Sequence, residues 1–506
     1  MSLGPYLDRL PDELILEILE LLSLCEDHLC CRNGVYCYLD LTLTCRRFYR
    51  FATPFLYKEY DCPFRGDPEY FLRTLVENPT LGEYVKKMEW QCDGWLHRLH
   101  DTADRRIISQ KFLQMGTPSA MDFAANFETL PFEDNGRVDF DNVLYRDDPV
   151  IEAILMFTPN IEDLVVWGKY QPEKQKRPWT ASMKLGFPHS FQHLKSVYVH
   201  IACMRLEGAS TFLFLPSIKK LELMELTENG TARKWDMPTS SYYTSLPFGS
   251  STVEHFRVGN SLVESKVLAA LIRVPRALKY FEYGQGHWWE AAKIDYALLT
   301  SSLRHHRQSL EELWLSHNWS DPGPCRVLES LVDFTNLKIL HIPLTALVPT
   351  KAFLKDLDIT PAVLDLLPSG LEELQLTVQL HDCRFDADFT HALEVIAQHA
   401  NEKVPQLKKV VVGKAILHKD SEPGWESLHR DFALAGIEFS APDKRELTII
   451  ESRPTGNSDG DDDNSDEEDI EQDVQDIDSD SLWGLMPFAG DDEMANPATL
   501  WGILES

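Results

Sequence analysis

A chain of 506 residues with 43% hydrophobic content has room for two to four ordinary domains or one long repeat array, around a sizeable core. Its formal charge of −31 is lopsided: residues 454–506 hold 17 acidic side chains and no Lys or Arg, which leaves −14 for the remainder. No basic stripe interleaved with aromatics occurs, so direct nucleic-acid binding is disfavoured, and no run of about 18 apolar residues marks a membrane span.

The opening "MSLGPYLDRLPDEL" lacks the basic, apolar and small-residue succession of a signal peptide. Ten cysteines at irregular spacing then read as free thiols in an intracellular protein of the cytoplasm, the nucleus or both. On that reading the sequons at Asn229 and Asn318 are chance matches.

The first strong element is "LPDELILEILELL", Leu10 to Leu22. Pro11 suits a first helical turn, and Asp12 and Glu13 suit the positive end of the helix dipole. Glu13, Glu17 and Glu20 make one narrow polar stripe, whereas nearly everything else is Leu or Ile. Ile15, Ile18, Leu19 and Leu22 are expected to form a seam packed within the chain. Leu14, Leu16 and Leu21 widen the apolar arc beyond the roughly 100° that one sheltered face needs. A second amphipathic stretch, Leu39 to Tyr60, contains Pro54, which predicts a helix, a break and a further short turn. Three short helices bury little core by themselves, so the unit is expected either to cap the rest of the chain or to dock on a partner.

"LPDELILEILELL" followed by "LTCRRFYRFATPFLY" resembles the F-box, the adaptor-binding module of Skp–cullin–F-box ubiquitin ligases. The matching positions are Leu10, Pro11, Glu13, Leu14, Ile18, Leu19 and Leu22, then Leu43, Cys45, Arg46, Phe48 and Ala52. The resemblance covers residues 7–60 and implies that Leu10, Pro11, Leu14, Ile18, Leu19, Leu43 and Phe48 face a Skp-type adaptor, itself joined to a cullin. The Cys-rich segment 23–38 is longer than the family needs and is expected to loop out. Cys25, His28, Cys30, Cys31 and Cys37 lie there, but two are adjacent and no second pair of ligands follows, so ordinary thiols are favoured over zinc.

From about 80 to 450 one phrase recurs, L-x-x-L-x-L, usually with Lys or Glu after the first apolar residue. A weak copy at Val85 precedes nine others, at Ile161, Leu194, Ile218, Val253, Leu278, Leu310, Leu337, Leu371 and Leu407, whose starts lie 24 to 36 residues apart. Each phrase ends in the alternation of a strand with one buried face. Helical patterns intervene, as in Ser261–Val274 and Pro324–Phe334, while "FEDNGRVDFDN" in the long gap after Val85 is loop-like. Such units stack because none buries its own apolar face. The region resembles the leucine-rich-repeat family, with irregular repeats lacking the regular Asn or Cys after the phrase. The implied fold class is α/β: a small helical F-box, an irregular leucine-rich-repeat solenoid and a disordered acidic tail. Period-2 alternation places Trp167, Tyr198, His200, Arg257, Tyr280, Trp314, His341 and Gln375 on one sheet face, a candidate target-binding surface.

Chemistry is sparse. "HDCRFDADFTH" (His381–His391) reads as a polar connection, "YGQGHWW" (Tyr283–Trp289) lacks a P-loop Lys, and no protease, hydrolase or kinase motif occurs. No catalytic site, metal or cofactor is expected. The tail, 454–506, is too charged to form a core, yet carries "LWGLM" and "LWGIL". Leu482, Trp483, Leu500 and Trp501 are therefore candidate docking residues, with a solvated spacer as the alternative. Two functions remain. One is the substrate-recognition subunit of a Skp–cullin–F-box ligase, without its own catalytic site. The other is a non-catalytic repeat scaffold whose acidic tail binds a basic protein.

Overall fold

Lys or Glu after the first apolar residue of each phrase marks the start of a strand, and the backbone explains the regularity. In the structure, a computed structural model, the N–H of Lys86 donates to the Lys58 carbonyl and that of Glu162 to the Lys86 carbonyl. The same step continues through Lys195, Lys219, Glu254, Lys279, Glu311, Lys338, Glu372, Lys408 and Glu438, each donating to the one before at 2.7–2.9 Å. Side chains along this edge pair across strands. Glu162 lies between Lys86 (3.3 Å) and Lys195 (2.7 Å), and Glu254 between Lys219 (2.6 Å) and Lys279 (2.7 Å).

The structure describes residues 10–24, 31–61, 68–92, 102–116, 120–121, 124–125, 147–169, 189–202, 210–226, 246–286, 294–316, 326–347, 363–379, 386–418, 424–441 and 447–450. Three helices come first, α1 (Asp12–Leu24), α2 (Cys31–Thr44) and α3 (Arg46–Lys58). Then come β1 (Glu59–Asp61), α4 (Pro68–Glu77), β2 (Lys87–Cys92), α5 (Thr102–Met115), α6 (Asp147–Phe157), β3 (Asp163–Lys169), β4 (Ser196–Ala202) and β5 (Lys220–Met224). Next are β6 (His255–Ser261), α7 (Ser265–Ile272), β7 (Tyr280–Gln285), α8 (Tyr296–Leu303), β8 (Glu312–Ser316), β9 (Ile339–Pro343) and α9 (Leu344–Leu347). The last are β10 (Glu373–Gln379), α10 (Asp386–Lys403), β11 (Lys409–His418), α11 (Trp425–Leu434), β12 (Glu438–Ser440) and β13 (Leu447–Ile450).

The strands form one parallel sheet in which β1 to β12 are neighbours in chain order, with β13 beside β11. The fold is α/β. Alternate strand residues are buried, and the buried set is the apolar one: Leu164 and Val166, Val197 and Val199, Leu221 and Leu223, Phe256 and Val258, Leu313 and Leu315. They share a core with Leu268, Leu271 and Ile272 of α7 and Leu299 and Leu303 of α8. Residues Met1–Ile450 form one compact unit, and residues 451–506 lie outside the described residues.

Four sequence expectations need correction. Pro54 does not break the second amphipathic stretch; it sits inside α3, and the break is at Cys45, whose extended backbone (φ −161°, ψ 164°) separates α2 from α3. Proline removes its own N–H bond and crowds the carbonyl four residues back, but tertiary packing holds the helix: Ala52, Thr53, Leu56 and Tyr57 around it are buried. The segment 23–38 does not loop out along its whole length, because α1 extends to Leu24 and α2 begins at Cys31; residues 25–30 lie outside the described set. Pro324–Phe334 is irregular rather than helical over its described part, from Arg326. Its buried Leu328 and Leu331 donate their N–H groups outward, to the carbonyls of Ala346 and Leu366, instead of along a helix. Finally, the chain from Leu39 to Tyr60 ends in a strand: α3 runs directly into β1, which opens the sheet. In the long gap, β2 pairs directly with β3, and the described residues between them contribute helices α5 and α6.

Candidate protein-docking surfaces

Helix α1 presents two apolar faces, and its sequence spacing explains both. At 100° per residue, Ile15, Leu19 and Leu22 project within about 60° of one another, and so do Leu14, Ile18 and Leu21 on an adjacent stripe. The first stripe turns inward, with Ile15 and Leu19 each 1% exposed; the second turns outward, with Leu14 43%, Ile18 45% and Leu21 55% exposed. Ile18 therefore leaves the expected inward seam. Leu19 is a core residue and is not available on the outer surface.

The other helices hold α1 in place. The Tyr38 hydroxyl donates to the Leu19 carbonyl at 3.0 Å, and its ring stacks on Phe55 at 5.7 Å. Asp12, in the first turn, accepts from Arg47 Nε at 2.9 Å and Nη2 at 2.6 Å, and from Arg50 Nη2 at 2.8 Å. Arg47 also donates to the Leu10 carbonyl. Of the remaining adaptor-facing candidates, Pro11 and Leu43 are exposed and Leu10 and Phe48 half-buried. Leu21 and Tyr49, exposed in the same segment, were not among those candidates. The i, i+4, i+7 spacing of Leu14, Ile18 and Leu21 was the signal for Leu21.

The second surface is the sheet face opposite the apolar core. Strand register lines up one row from β4 to β10: Tyr198, Glu222, Arg257, Glu282, Trp314, His341 and Gln375, each beside the next. Trp167 and His200 pair one row further along the strands, and Tyr280 sits one row before, beside His255. All eight expected residues share this face, and all are half-buried.

Aromatic groups gather at two places. Trp167 contacts Tyr198 (ring centroids 4.9 Å) and His200 (5.7 Å); Trp314 and His341 meet edge to face at 4.8 Å. Between them lies a charged centre. Arg257 Nη1 is 3.4 Å from Glu222, and its Nε is 3.0 Å from Glu282. Lys220 pairs with Glu222, and the Tyr280 hydroxyl donates to Glu282. Glu225 accepts from Asn260 Nδ2 at 3.2 Å and lies 3.3 Å from His200 Nε2; the His200 contact, foremost, holds its carboxyl below the usual carboxylate range. Burial pushes the Tyr280 phenol up, and its bond to Glu282 reinforces this. Burial alone pulls the His341 imidazole down from 6.5 to about 4, so it is neutral at pH 7.

Trp167 Nε1, Trp314 Nε1 and His341 Nε2 are shielded from solvent and have no hydrogen-bond partner among the described residues. Each such group costs about 1–3 kcal/mol until something pairs with it. Among the described residues no group of three or more His, Cys, Asp or Glu side chains is arranged to hold a metal ion. Cys37 and Cys45 are free and exposed, whereas Cys25, His28 and Cys30 lie outside the described residues. The polar stretch His381–His391 enters α10 at Asp386, and its earlier residues lie outside the described set. So do Leu482, Trp483, Leu500 and Trp501, the tail's candidate docking residues. No described helix is long and apolar enough to cross a membrane.

Compared with known proteins, the chain matches no protein-family model and no curated protein sequence.

Proposed function

We propose that this chain is the substrate-recognition subunit of a Skp–cullin–F-box ubiquitin ligase. Residues 7–60 act as the F-box, the strands and helices from about 80 to 450 as a leucine-rich-repeat solenoid, and the half-buried sheet face as the target-binding surface. The observation that carries the reading is the second apolar stripe of α1: Leu14, Ile18 and Leu21 are exposed on a helix whose inward needs Ile15 and Leu19 already meet. Exposed apolar side chains grouped on one helix face are the usual mark of a partner's site. The parallel sheet built in chain order supports the repeat half of the reading.

In this reading the protein catalyses nothing itself. It holds a target near a ubiquitin-loaded conjugating enzyme and so turns a bimolecular transfer into an effectively intramolecular one. The chemistry belongs to other subunits.

The test is co-purification of the full chain with a Skp-type adaptor. Wild type is expected to retain the adaptor and Leu14→Asp/Ile18→Asp to lose it while keeping its thermal transition. Equal recovery by both would end the ligase reading and favour the alternative, a scaffold whose acidic tail binds a basic protein.

A further inference from the structure

The row across β4 to β9 has an order that selects one kind of occupant. Aromatic groups stand at its two ends, Tyr198 with Trp167 on one side and Trp314 with His341 on the other. Between them Glu222 and Glu282 bracket Arg257, one strand away on either side. Glu225 and Glu312 lie on the same face, so among the described residues this centre carries four carboxylates against the two cations Lys220 and Arg257. A net negative patch with low-dielectric walls attracts cations and repels anions. It disfavours nucleic acid, and it disfavours the chain's own tail, whose residues 454–506 hold 17 acids and no base.

The geometry points to an extended basic segment of a partner protein laid across the strands, with Lys or Arg over Glu222 and Glu282 and an apolar or aromatic residue at each end. This rests on the reading of the sheet face as the target site and names the class of target. From Tyr198 on β4 to Trp314 on β8 is four strand steps, about 19 Å, which an extended chain covers in about six residues. The two carboxylate-bearing strands are two steps apart, about 10 Å, so in the extended polyproline II form, with three residues per turn and about 3.1 Å per residue, the basic residues of the segment stand about three apart on one side. Trp and Tyr faces beside a carboxylate suit a Lys or Arg stem and head together.

The experiment titrates the full chain, by fluorescence anisotropy, with two labelled synthetic peptides of about ten residues. Both carry Leu at two sites about six apart; one has Lys and Arg between them, the other Glu at the same places. The basic peptide is expected to bind and the acidic one to fail, with affinity falling as salt rises from about 0.05 to about 0.3 M. Glu222→Gln/Glu282→Gln, which leaves two carboxylates against two cations and so removes the net negative charge of the centre, is expected to weaken binding at least about tenfold, and Trp314→Ala similarly. Glu372→Gln, on the strand-start edge, should change nothing. Absence of binding, equal binding of both peptides, or binding indifferent to both face variants overturns the proposal, provided the variants keep the wild-type urea midpoint. Adaptor capture is read in parallel. Peptide binding without adaptor capture removes the ligase reading alone; adaptor capture without peptide binding removes this proposal alone.

Discussion

The backbone N–H of Leu278 donates to Nδ1 of His306 at 3.2 Å, so this imidazole serves as an acceptor for the strand entry at β7. Its other nitrogen, Nε2, lies 2.7 Å from the Ile272 carbonyl at the end of α7. The two contacts require the neutral Nε2–H form, because a charged imidazole has no acceptor left for Leu278. Burial, foremost, pulls the His306 pKa below 6.5; the Ile272 carbonyl opposes this and the neighbouring His305 adds to it. The folded chain thus resists a proton that the unfolded chain takes up. Stability from this group is complete above about 6.5 and is lost as pH falls from there through the depressed folded value. Urea unfolding at pH 7.5 and 5.5 should show a smaller pH dependence in His306→Gln than in wild type. His306→Ala, which leaves the Leu278 N–H and Ile272 carbonyl unpaired, should cost about 3 kcal/mol at neutral pH.

Much of the sheet was legible because the L-x-x-L-x-L phrase alternates, and alternation dictates which side chains share a face. Tyr198, Arg257, Trp314, His341 and Gln375 could be put on one side from spacing alone. Register could not, so the pairing of Arg257 with Glu222 and Glu282 needed the structure. The Lys and Glu at phrase starts were visible as a habit of the sequence, while their cross-strand pairing was not. Helical spacing misled at Pro324–Phe334, where Leu328, Leu331 and Phe334 are buried on a non-helical backbone. His306, adjacent to His305, carried no mark in the sequence of being the one held by two backbone groups.

Helix α1 offers a paired comparison of neighbouring positions. Ile18 is 45% exposed and Leu19 1%. Ile18→Asp should shift stability by less than about 1 kcal/mol, whereas Leu19→Asp should cost more than about 3 kcal/mol by burying a carboxylate without a partner. Far-UV circular dichroism through a urea gradient distinguishes the two. Similar losses from both would mean that the second stripe is also packed.

At the strand-start edge, Glu254 is held by Lys219 and Lys279. The bond to Lys219, then that to Lys279, draws its carboxyl down to about 2. Since the folded value is depressed, the stabilisation is present above 4.5 and fades as pH falls toward 2. A carbon-13 carboxyl titration should place the Glu254 midpoint near the lower figure. Lys219→Met should move it upward, as should about 1 M salt, because the pair is largely exposed.

Gly82, in the turn before β2, leaves no space for a side chain: a Cβ there would stand 2.0 Å from the Phe157 carbonyl oxygen at the end of α6. Backbone cannot yield as a flexible side chain does. Gly82→Ala is expected to lower stability by about 2–3 kcal/mol, visible as a drop of several degrees in the thermal midpoint. Gly436→Ala meets nothing within 4 Å and is strained only by its φ of +74°, so it should cost about 1 kcal/mol.

Trp314 and His341 report on each other across β8 and β9. The indole lies against the imidazole edge to face, with centroids 4.8 Å apart. Burial alone draws the His341 pKa from 6.5 to about 4, with no charged group among its causes. Removing the cover should therefore return the group toward its ordinary value. In Trp314→Ala, water reaches the ring and the His341 titration, followed by proton–nitrogen NMR, should rise well above 4. Trp314→Phe keeps part of the cover and should fall between the two. The stability change has a definite sign: wild type loses stability as pH drops from 6.5 toward 4, and Trp314→Ala loses less of it over that window. A midpoint that stays near 4 in Trp314→Ala would mean that the shielding comes from elsewhere on the face.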